Sequence, residues 1–296
     1  MIVKKIIFKL TIILIISVLI SSCKSQDLKN TSTDFTKEFL FTKGIEGPAV
    51  DSKGNLFAVN FHNEGTIGKI DANGKPTLFA TLPKGSIGNG IRFDKLDNMY
   101  IADYAKHNIL MISNGTTKAV VYAHDSTLNQ PNDIAIAPNG TLYASDPNWK
   151  ASTGNIWLIK NNTFILLEKN MGTTNGIEVS PDGKKLYVNE SVQGNVWVYD
   201  ILADGTVANK ELFIKFSDFG MDGMRCDEKG NLYICRYGKG TVAILSPEGK
   251  LIREITLKGK DPTNITFGGK DKKQCFVTLQ DRGSFETFQS EFAGRK

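Results

Sequence analysis

The chain has 296 residues and a formal net charge of +5; 41% of its residues are hydrophobic and 23% are charged. These fractions are typical of a soluble globular protein. Three of the positive charges, Lys4, Lys5 and Lys9, lie near the N-terminus, and no later block of lysines or arginines stands out. We therefore expect no nucleic-acid partner.

The N-terminus has the three parts of a signal peptide. The lysines just named come first, an apolar run from Leu10 to Ile20 follows, and two serines precede Cys23. The apolar run is too short for a comfortable membrane span, so residues 1–22 are predicted to be a signal peptide. Its ending, LISSC, resembles the lipobox of bacterial lipoproteins, in which the cysteine becomes the lipidated first residue.

This resemblance implies that Cys23 is acylated and that its acyl chains anchor the protein to a membrane. The implied location is the bacterial cell envelope, with the protein lipid-anchored and facing the periplasm or the outer membrane. The alternative is an ordinary secretory signal with a chance cysteine. Residues 23–34 are polar and lack hydrophobic periodicity, which predicts a tether between the lipid and the folded domain.

From residue 46 onward the chain repeats one pattern six times. Each repeat has an acidic or amide residue, a short apolar strand, a turn, and a second strand with an aromatic residue. The aromatic residues are Phe57, Tyr100, Tyr143, Tyr187, Tyr233 and Phe276. They recur every 43 to 46 residues, a period typical of a solenoid or a propeller.

The last repeat stops early, because little chain follows the strand predicted over Ser284 to Gln289. A spare strand predicted over Phe35 to Phe41 could supply the missing fourth strand. Closing the ring in this way would remove an open sheet edge. We therefore predict an all-β protein, a six-bladed β-propeller over residues 35–296 whose ring is closed by an N-terminal strand, and we expect a monomer.

Every repeat begins its first strand with a carboxylate or amide side chain. These blade-opening residues are Glu46, Asn89, Asn132, Asn175, Asp222 and Asn264. Around a propeller axis they would converge at one end. Hard cations such as Ca²⁺ bind several oxygen ligands of mixed charge, and the absence of His and Cys from these positions disfavours zinc. The competing interpretation is ordinary turn polarity, but two carboxylates at equivalent positions favour a metal site.

Five motifs, in this order, resemble the SMP-30/gluconolactonase/regucalcin (LRE-like) family. They are Glu46-Gly47-Pro48, Gln130-Pro131-Asn132-Asp133, Asn175-Gly176-Ile177 with Ser180-Pro181-Asp182-Gly183, Met221-Asp222-Gly223-Met224, and Pro262 to Gly269. The resemblance implies a six-bladed propeller that hydrolyses lactones. It also implies one divalent cation in the central channel, Ca²⁺ or another such as Mg²⁺, Mn²⁺ or Zn²⁺.

The same resemblance assigns roles to individual positions. Glu46, Asn175 and Asp222 match the main metal ligands, and Asn132 matches a residue that touches metal or substrate. Hydrolysis needs a carboxylate to take a proton from water, and Asp222 is the first choice. Asp133 is the alternative, although a strand-end aspartate also commonly bonds backbone amides. The rim histidines His62 and His107 are further alternatives for the base, but solvent-facing loop positions are more common for them.

The substrate side of the site departs from the sugar-lactone pattern. Some sugar-lactone members carry an arginine where this chain has Gln130, and the loss of that bidentate donor argues against an aldonolactone. The residues predicted to bind substrate are Asn89, Gln130, Asn132, Asp146, Trp149 and Asn264. We expect a small lactone-like substrate, while Asn89 and Asn264 could instead support the metal ligands.

A second class of function remains open from the sequence. The segment Asn98 to Tyr104 resembles the NHL type of binding repeat, so the alternative is a non-catalytic propeller that binds protein or glycan ligands. Fold alone does not decide between the two. The two carboxylates favour the hydrolase, because a scaffold has no need of them on its axis. The three remaining cysteines, Cys226, Cys235 and Cys275, are predicted to be buried free thiols.

Overall fold

The computed structural model describes residues 29–295, which form six four-stranded antiparallel sheets and no helix. The sheets are the six blades of a β-propeller, as predicted. Within residues 29–295 there is accordingly no helix of the length and apolarity that a membrane crossing needs. The predicted signal peptide, the lipidation of Cys23 and the tether as far as residue 28 lie outside the described residues.

Each of the first five blades is made of four consecutive strands. Blade 1 contains β2 (Ala49–Val50), β3 (Leu56–Val59), β4 (Thr66–Ile70) and β5 (Pro76–Thr81). Blade 2 contains β6 (Gly88–Phe93), β7 (Met99–Asp103), β8 (Asn108–Ile112) and β9 (Ala119–His124). Blade 3 contains β10 (Ile134–Ile136), β11 (Leu142–Asn148), β12 (Thr153–Lys160) and β13 (Thr163–Met171). Blade 4 contains β14 (Thr174–Val179), β15 (Lys185–Glu190), β16 (Asn195–Ile201) and β17 (Val207–Lys215). Blade 5 contains β18 (Met224–Cys226), β19 (Leu232–Arg236), β20 (Thr241–Leu245) and β21 (Leu251–Thr256).

Blade 6 is assembled from both ends of the described chain. It contains β22 (Pro262–Gly268), β23 (Gln274–Leu279), β24 (Ser284–Gln289) and β1 (Thr33–Asp34), in that order. In β1, Thr33 lies opposite Thr287 and Asp34 lies opposite Glu286. The prediction that an N-terminal strand closes the ring is therefore confirmed.

The position of the closing strand was predicted wrongly. Residues 35–41 form turns rather than a strand, and Phe39 has a positive φ of 58°. Their phenylalanines anchor the link between blades 6 and 1: the Phe35 ring packs 4.6 Å from Phe276, and the Phe41 ring 5.6 Å from Phe285. The strand that pairs is short, polar and exposed, so it shows no apolar alternation for a sequence pattern to detect.

The start of the folded domain moves with that correction. Thr31 bridges Thr256 of blade 5, and the Ser32 amide donates to the same Thr256 carbonyl at 3.0 Å. Residues 31–34, predicted to belong to the tether, are therefore part of the propeller.

The repeated aromatic residue packs between neighbouring blades. The Phe57 ring of blade 1 lies 5.3 Å from Phe93 of blade 2, and the Tyr233 ring of blade 5 lies 5.0 Å from Phe267 of blade 6. These contacts continue into apolar clusters that join adjacent sheets. The three cysteines of the described chain are buried and unpaired, as predicted.

The closing strand offers a direct test of ring closure. A mature chain that begins at Phe35 would lose β1 and the Asp34 side chain, which pairs with Arg282 (2.7 Å) and Lys258. We expect its melting temperature to fall by roughly 3 °C or more, and its aggregation to increase because the edge of β24 is exposed. A chain that begins at Lys29 is the matched control and should melt like the longer protein. Equal melting of the two truncated chains would contradict the assigned role of β1.

Candidate metal centre and active site at one end of the propeller axis

The six blade-opening residues lie at the start of the innermost strands, as the repeat predicted. Three of those strands, β6, β14 and β22, are irregular at this point, with register shifts between Gly88 and Ile91, between Thr174 and Ile177, and between Pro262 and Asn264. A bulge of this kind re-aims side chains. The irregularity therefore turns polar side chains toward the axis before regular pairing begins.

Glycines let the inner strands approach one another closely. At each of the four glycines that follow a blade-opening residue, an added Cβ would overlap a neighbouring blade; these are Gly47, Gly90, Gly176 and Gly223. At Gly223 the Cβ would collide with the Asn264 side chain, and at Gly176 with the carbonyl oxygen of Asp222. No larger residue fits at these positions, and the close approach of the strands brings the polar side chains together.

A cavity of about 220 Å³ opens at this end of the axis. It is lined by Lys43, Gly44, Ile45, Glu46, Asn60, Glu64, Gly88, Asn89, Tyr104, Gln130, Asn132, Trp149, Asp222, Thr263 and Gln280. Six of the sequence-predicted site residues are in that wall: Glu46, Asn89, Gln130, Asn132, Trp149 and Asp222. Of the described residues, Asp133, Asp146, Asn175, Asn264 and the histidines do not line it.

Three blade-opening amides have a carbonyl oxygen left unused. Among residues 29–295, no hydrogen-bond partner reaches the buried Oδ1 atoms of Asn89, Asn132 and Asn175. A buried acceptor without a partner costs about 1–3 kcal/mol. Oxygen atoms kept in that state beside carboxylates are suited to a hard cation.

The two carboxylates of this group, Glu46 and Asp222, carry shifted pKa values. Burial, and then the negative charge of Asp133, raises the pKa of Glu46 to about 8. Burial, and then the charges of Glu46 and Asp133, raises the pKa of Asp222 well above its usual range. Both shifts mean that negative charge at this position lacks compensation. A bound divalent cation would supply that compensation, so the residues present fit such an ion.

No three His, Cys, Asp or Glu side chains of the described chain are grouped closely enough to hold a metal by themselves. A site here would have to combine two carboxylates with amide oxygens. The blade-opening set has that mixture of donors.

A second set of charged residues, here called the second tier, lies behind the blade-opening residues, and the sequence analysis missed it. Arg92, Glu178 and Arg225 each follow a blade-opening residue by three positions. The Arg92 Nη1 atom lies 3.2 Å from Asp133 Oδ1, and Arg225 Nη1 lies 3.7 Å from Asp133 Oδ2. The available signal was charge at the same offset within three inner strands.

Glu178 joins this tier from the opposite side. Its carboxylate lies 3.8 Å from Arg92 Nη2 and accepts a hydrogen bond from Arg295 Nε at 2.6 Å. Arg295 reaches it because the segment near the C-terminus crosses blade 5, where Gly294 bridges Asp227. The second tier is thus a buried network in which each carboxylate contacts two or more guanidinium groups.

Asp133 is held by this network and does not line the cavity. It is fully buried, and its Oδ1 accepts a hydrogen bond from the Ile134 amide at 2.9 Å in addition to the one from Arg92. These bonds match the competing interpretation of Asp133 as a strand-end residue that bonds backbone amides, and its alternative role as catalytic base stays a prediction.

Asp146 also differs from its expected role. Its carboxylate is fully buried and accepts from the Gln130 amide (2.6 Å), Trp157 Nε1 (3.0 Å) and Asn155 Nδ2 (3.1 Å). These bonds hold the loop that carries Gln130 and leave Asp146 behind the pocket wall. Trp149 lies on the rim, with 44% of its surface exposed.

The chain is similar to one protein family and to several known proteins. A family model described as the SMP-30/Gluconolactonase/LRE-like region matches residues 45–281. A gluconolactonase from Zymomonas mobilis is 26% identical over 208 residues, which cover 62% of this chain and 58% of that enzyme. Regucalcin from Sus scrofa is 33% identical over 114 residues, covering 37% of this chain and 38% of regucalcin. The chain thus spans less than two thirds of the length of these relatives.

Solved structures share the fold over most of both chains. A calcium-binding protein, regucalcin, from Agrobacterium tumefaciens superimposes with a TM-score of 0.75 at 23% identity, covering 90% of this chain and 95% of the other. A gluconolactonase from Xanthomonas campestris superimposes with a TM-score of 0.72 at 18% identity, covering 86% and 88%. With the family model matching well over half of its length, the chain belongs to the SMP-30/gluconolactonase/LRE-like family.

Proposed function

We propose that this protein is a divalent-cation-dependent hydrolase of lactones or related small esters. The observation that carries the proposal is the set of unpartnered amide oxygens beside two uncompensated carboxylates at a small-molecule cavity. Membership of the family, and relatives named gluconolactonase, support the reaction class.

Glu46, Asn175 and Asp222, with Asn132, are the residues that would hold the cation, most simply Ca²⁺. A bound divalent cation supplies electrostatic stabilisation for the negative charge that develops on a lactone carbonyl oxygen. These four side chains offer a cation oxygen ligands only, which favours Ca²⁺, Mg²⁺ or Mn²⁺ over Zn²⁺.

Asp222 is the residue best placed to accept a proton from water. It lines the cavity, and a carboxylate in that position can take a proton from water. The pocket wall around it is rich in amides and includes neutral Gln130, while Tyr104 and Trp149 offer aromatic faces. These surroundings suit a small uncharged ring that carries hydrogen-bonding groups.

The first test separates the base from a ligand. Asp222→Asn should lower the rate of lactone hydrolysis by ~10²-fold or more at saturating Ca²⁺, because removing a general base carries its own penalty. Glu46→Gln should lose cation affinity but recover most of its rate when Ca²⁺ is added. Hydrolysis of a panel of lactones, measured with and without chelator, gives the rate of each variant and its dependence on the cation. Full recovery of both variants would make Asp222 a ligand only, and an inactive parent would favour a binding propeller.

The second test uses the pKa of Glu46. Its folded-state value of about 8 lies above its ordinary value of 4.5, so the folded protein binds this proton more tightly than the unfolded chain. Without metal, the free energy of unfolding should therefore decrease as pH rises from about 4.5 to 8. Denaturant unfolding in EDTA at pH 5, 6.5 and 8.5 measures this decrease.

Two controls accompany the pH series. Glu46→Gln should flatten the pH dependence relative to the parent, and excess Ca²⁺ should raise the stability of the parent at pH 8.5 by binding the folded state. A parent that becomes more stable across this range in EDTA, or melts identically with EDTA and Ca²⁺, would contradict the site.

We also propose that the protein is a monomer held at the cell envelope by lipid on Cys23. The support is the LISSC ending of the predicted signal peptide. Cys23→Ser should move the protein from the membrane fraction to the soluble fraction after cell lysis, because one lipid attachment site is lost. Continued membrane association of this variant would contradict the lipid anchor.

A further inference from the structure

Asn264 differs from the other blade-opening amides because its hydrogen-bonding capacity is fully used. It is completely buried. Its Nδ2 donates to Glu46 Oε2 at 3.1 Å and to Asp133 Oδ2 at 3.3 Å. Its Oδ1 accepts from Arg225 Nη1 at 3.1 Å and from the Ile265 amide at 2.9 Å. Two donors and two lone pairs are the whole inventory of an amide, so Asn264 has no oxygen left for a cation.

Arg225 determines which way the Asn264 amide points. A guanidinium group only donates hydrogen bonds, so the amide oxygen must face it and the NH₂ must face the carboxylates. The guanidinium is itself held by the Met224 carbonyl at 2.7 Å and the Pro48 carbonyl at 3.4 Å. A flipped amide would place its oxygen against two carboxylates, which is repulsive.

The orientation of the Asn264 amide fixes the carboxylate of Glu46. Its Oε2 atom accepts from both Asn264 Nδ2 and the Gly47 amide. Within residues 29–295 no hydrogen bond is made to Oε1, although Glu46 is part of the cavity wall. The two bonds therefore fix the carboxylate with one oxygen occupied and the other available.

We infer that Asn264 is not a metal ligand or a substrate contact but, together with Arg225, a positioning residue that aims Oε1 of Glu46 at the cation site. This inference rests on the cation site of the proposed function. It selects one of the two roles that the sequence analysis left open for Asn264, support of a metal ligand rather than contact with substrate.

The test uses a luminescent ion in place of Ca²⁺, since trivalent europium also binds oxygen ligands and reports how many waters it carries. The variants are Asn264→Leu, Arg225→Met and the double variant, each compared with the parent. Asn264→Leu and Arg225→Met should each lower the affinity for Eu³⁺ and Ca²⁺ by roughly 10- to 100-fold, the effect of removing support from a metal ligand. The double variant should be no weaker than the weaker single variant, because both act through one amide.

The hydration of the bound ion distinguishes positioning from ligation. Loss of a direct ligand adds a water to the ion. In Asn264→Leu the Gly47 amide still bonds Glu46 Oε2, so Glu46 can still reach the ion in a poorer geometry and the number of bound waters should stay unchanged. Asn231→Leu is the matched control: Asn231 is also buried and donates to a carboxylate, at 2.7 Å from Asp227 Oδ2, but that bond holds Asp227 rather than Glu46. It should keep the parent affinity. If Arg225→Met does not fold, affinity and hydration in Asn264→Leu decide the matter.

Three results would overturn the inference. An extra bound water in Asn264→Leu would make Asn264 a ligand. Parent-like affinity of this variant would remove its role in positioning, and additive losses in the double variant would separate Arg225 from it. In each case the parent still binds the ion, so the proposed function survives; a parent that binds no ion overturns both.

Discussion

The close approach of the inner strands at the propeller axis is the constraint on which the site depends. Where Gly176 and Gly223 pass the next blade, there is no room even for a methyl group. Strand starts that meet so closely exclude water from the space between them. Polar side chains placed there must satisfy one another or remain unsatisfied. The chain contains both outcomes, and the difference between them divides the axis into a structural part and a reactive part.

The structural part is the second tier. There Asp133 and Glu178 are surrounded by Arg92, Arg225 and Arg295, so buried charges of both signs offset one another. Breaking such a network leaves an uncompensated buried charge, which is strongly destabilising. At the cavity, burial is the main cause that raises the pKa of Glu46 and of Asp222, and the negative charge of Asp133 adds to it.

The sequence was sufficient to predict the parts of the molecule that repeat. A period of 43 to 46 residues defined six blades, and the blade-opening residues followed from the same alignment. Features that break the repeat were missed. The closing strand Thr33–Asp34 is two polar residues long, and the signal for the second tier is no more than one charged residue at the same offset in three inner strands. The hydrogen bonds of Asp146 and Asn264 were also not predicted, because a sequence shows a side chain's type but not which of its hydrogen bonds are already made.

The six blade-opening residues occupy equivalent positions but differ in the hydrogen bonds that their side chains make. An asparagine whose oxygen is unpartnered, as at Asn175, can serve a cation, whereas an asparagine held by an arginine, as at Asn264, can only direct a neighbour. The residue that decides whether the amide oxygen is free belongs to the second tier. It follows the blade-opening residue of the preceding blade by three positions. Arg225 stands there for Asn264, while the corresponding residue before Asn132 is Arg92, whose guanidinium bonds Asp133 and leaves the Asn132 oxygen free. The identity of the second-tier residue and its bonding partner therefore determine whether a blade-opening amide is available to a ligand. The role of each blade-opening amide thus depends on the second-tier residue behind it.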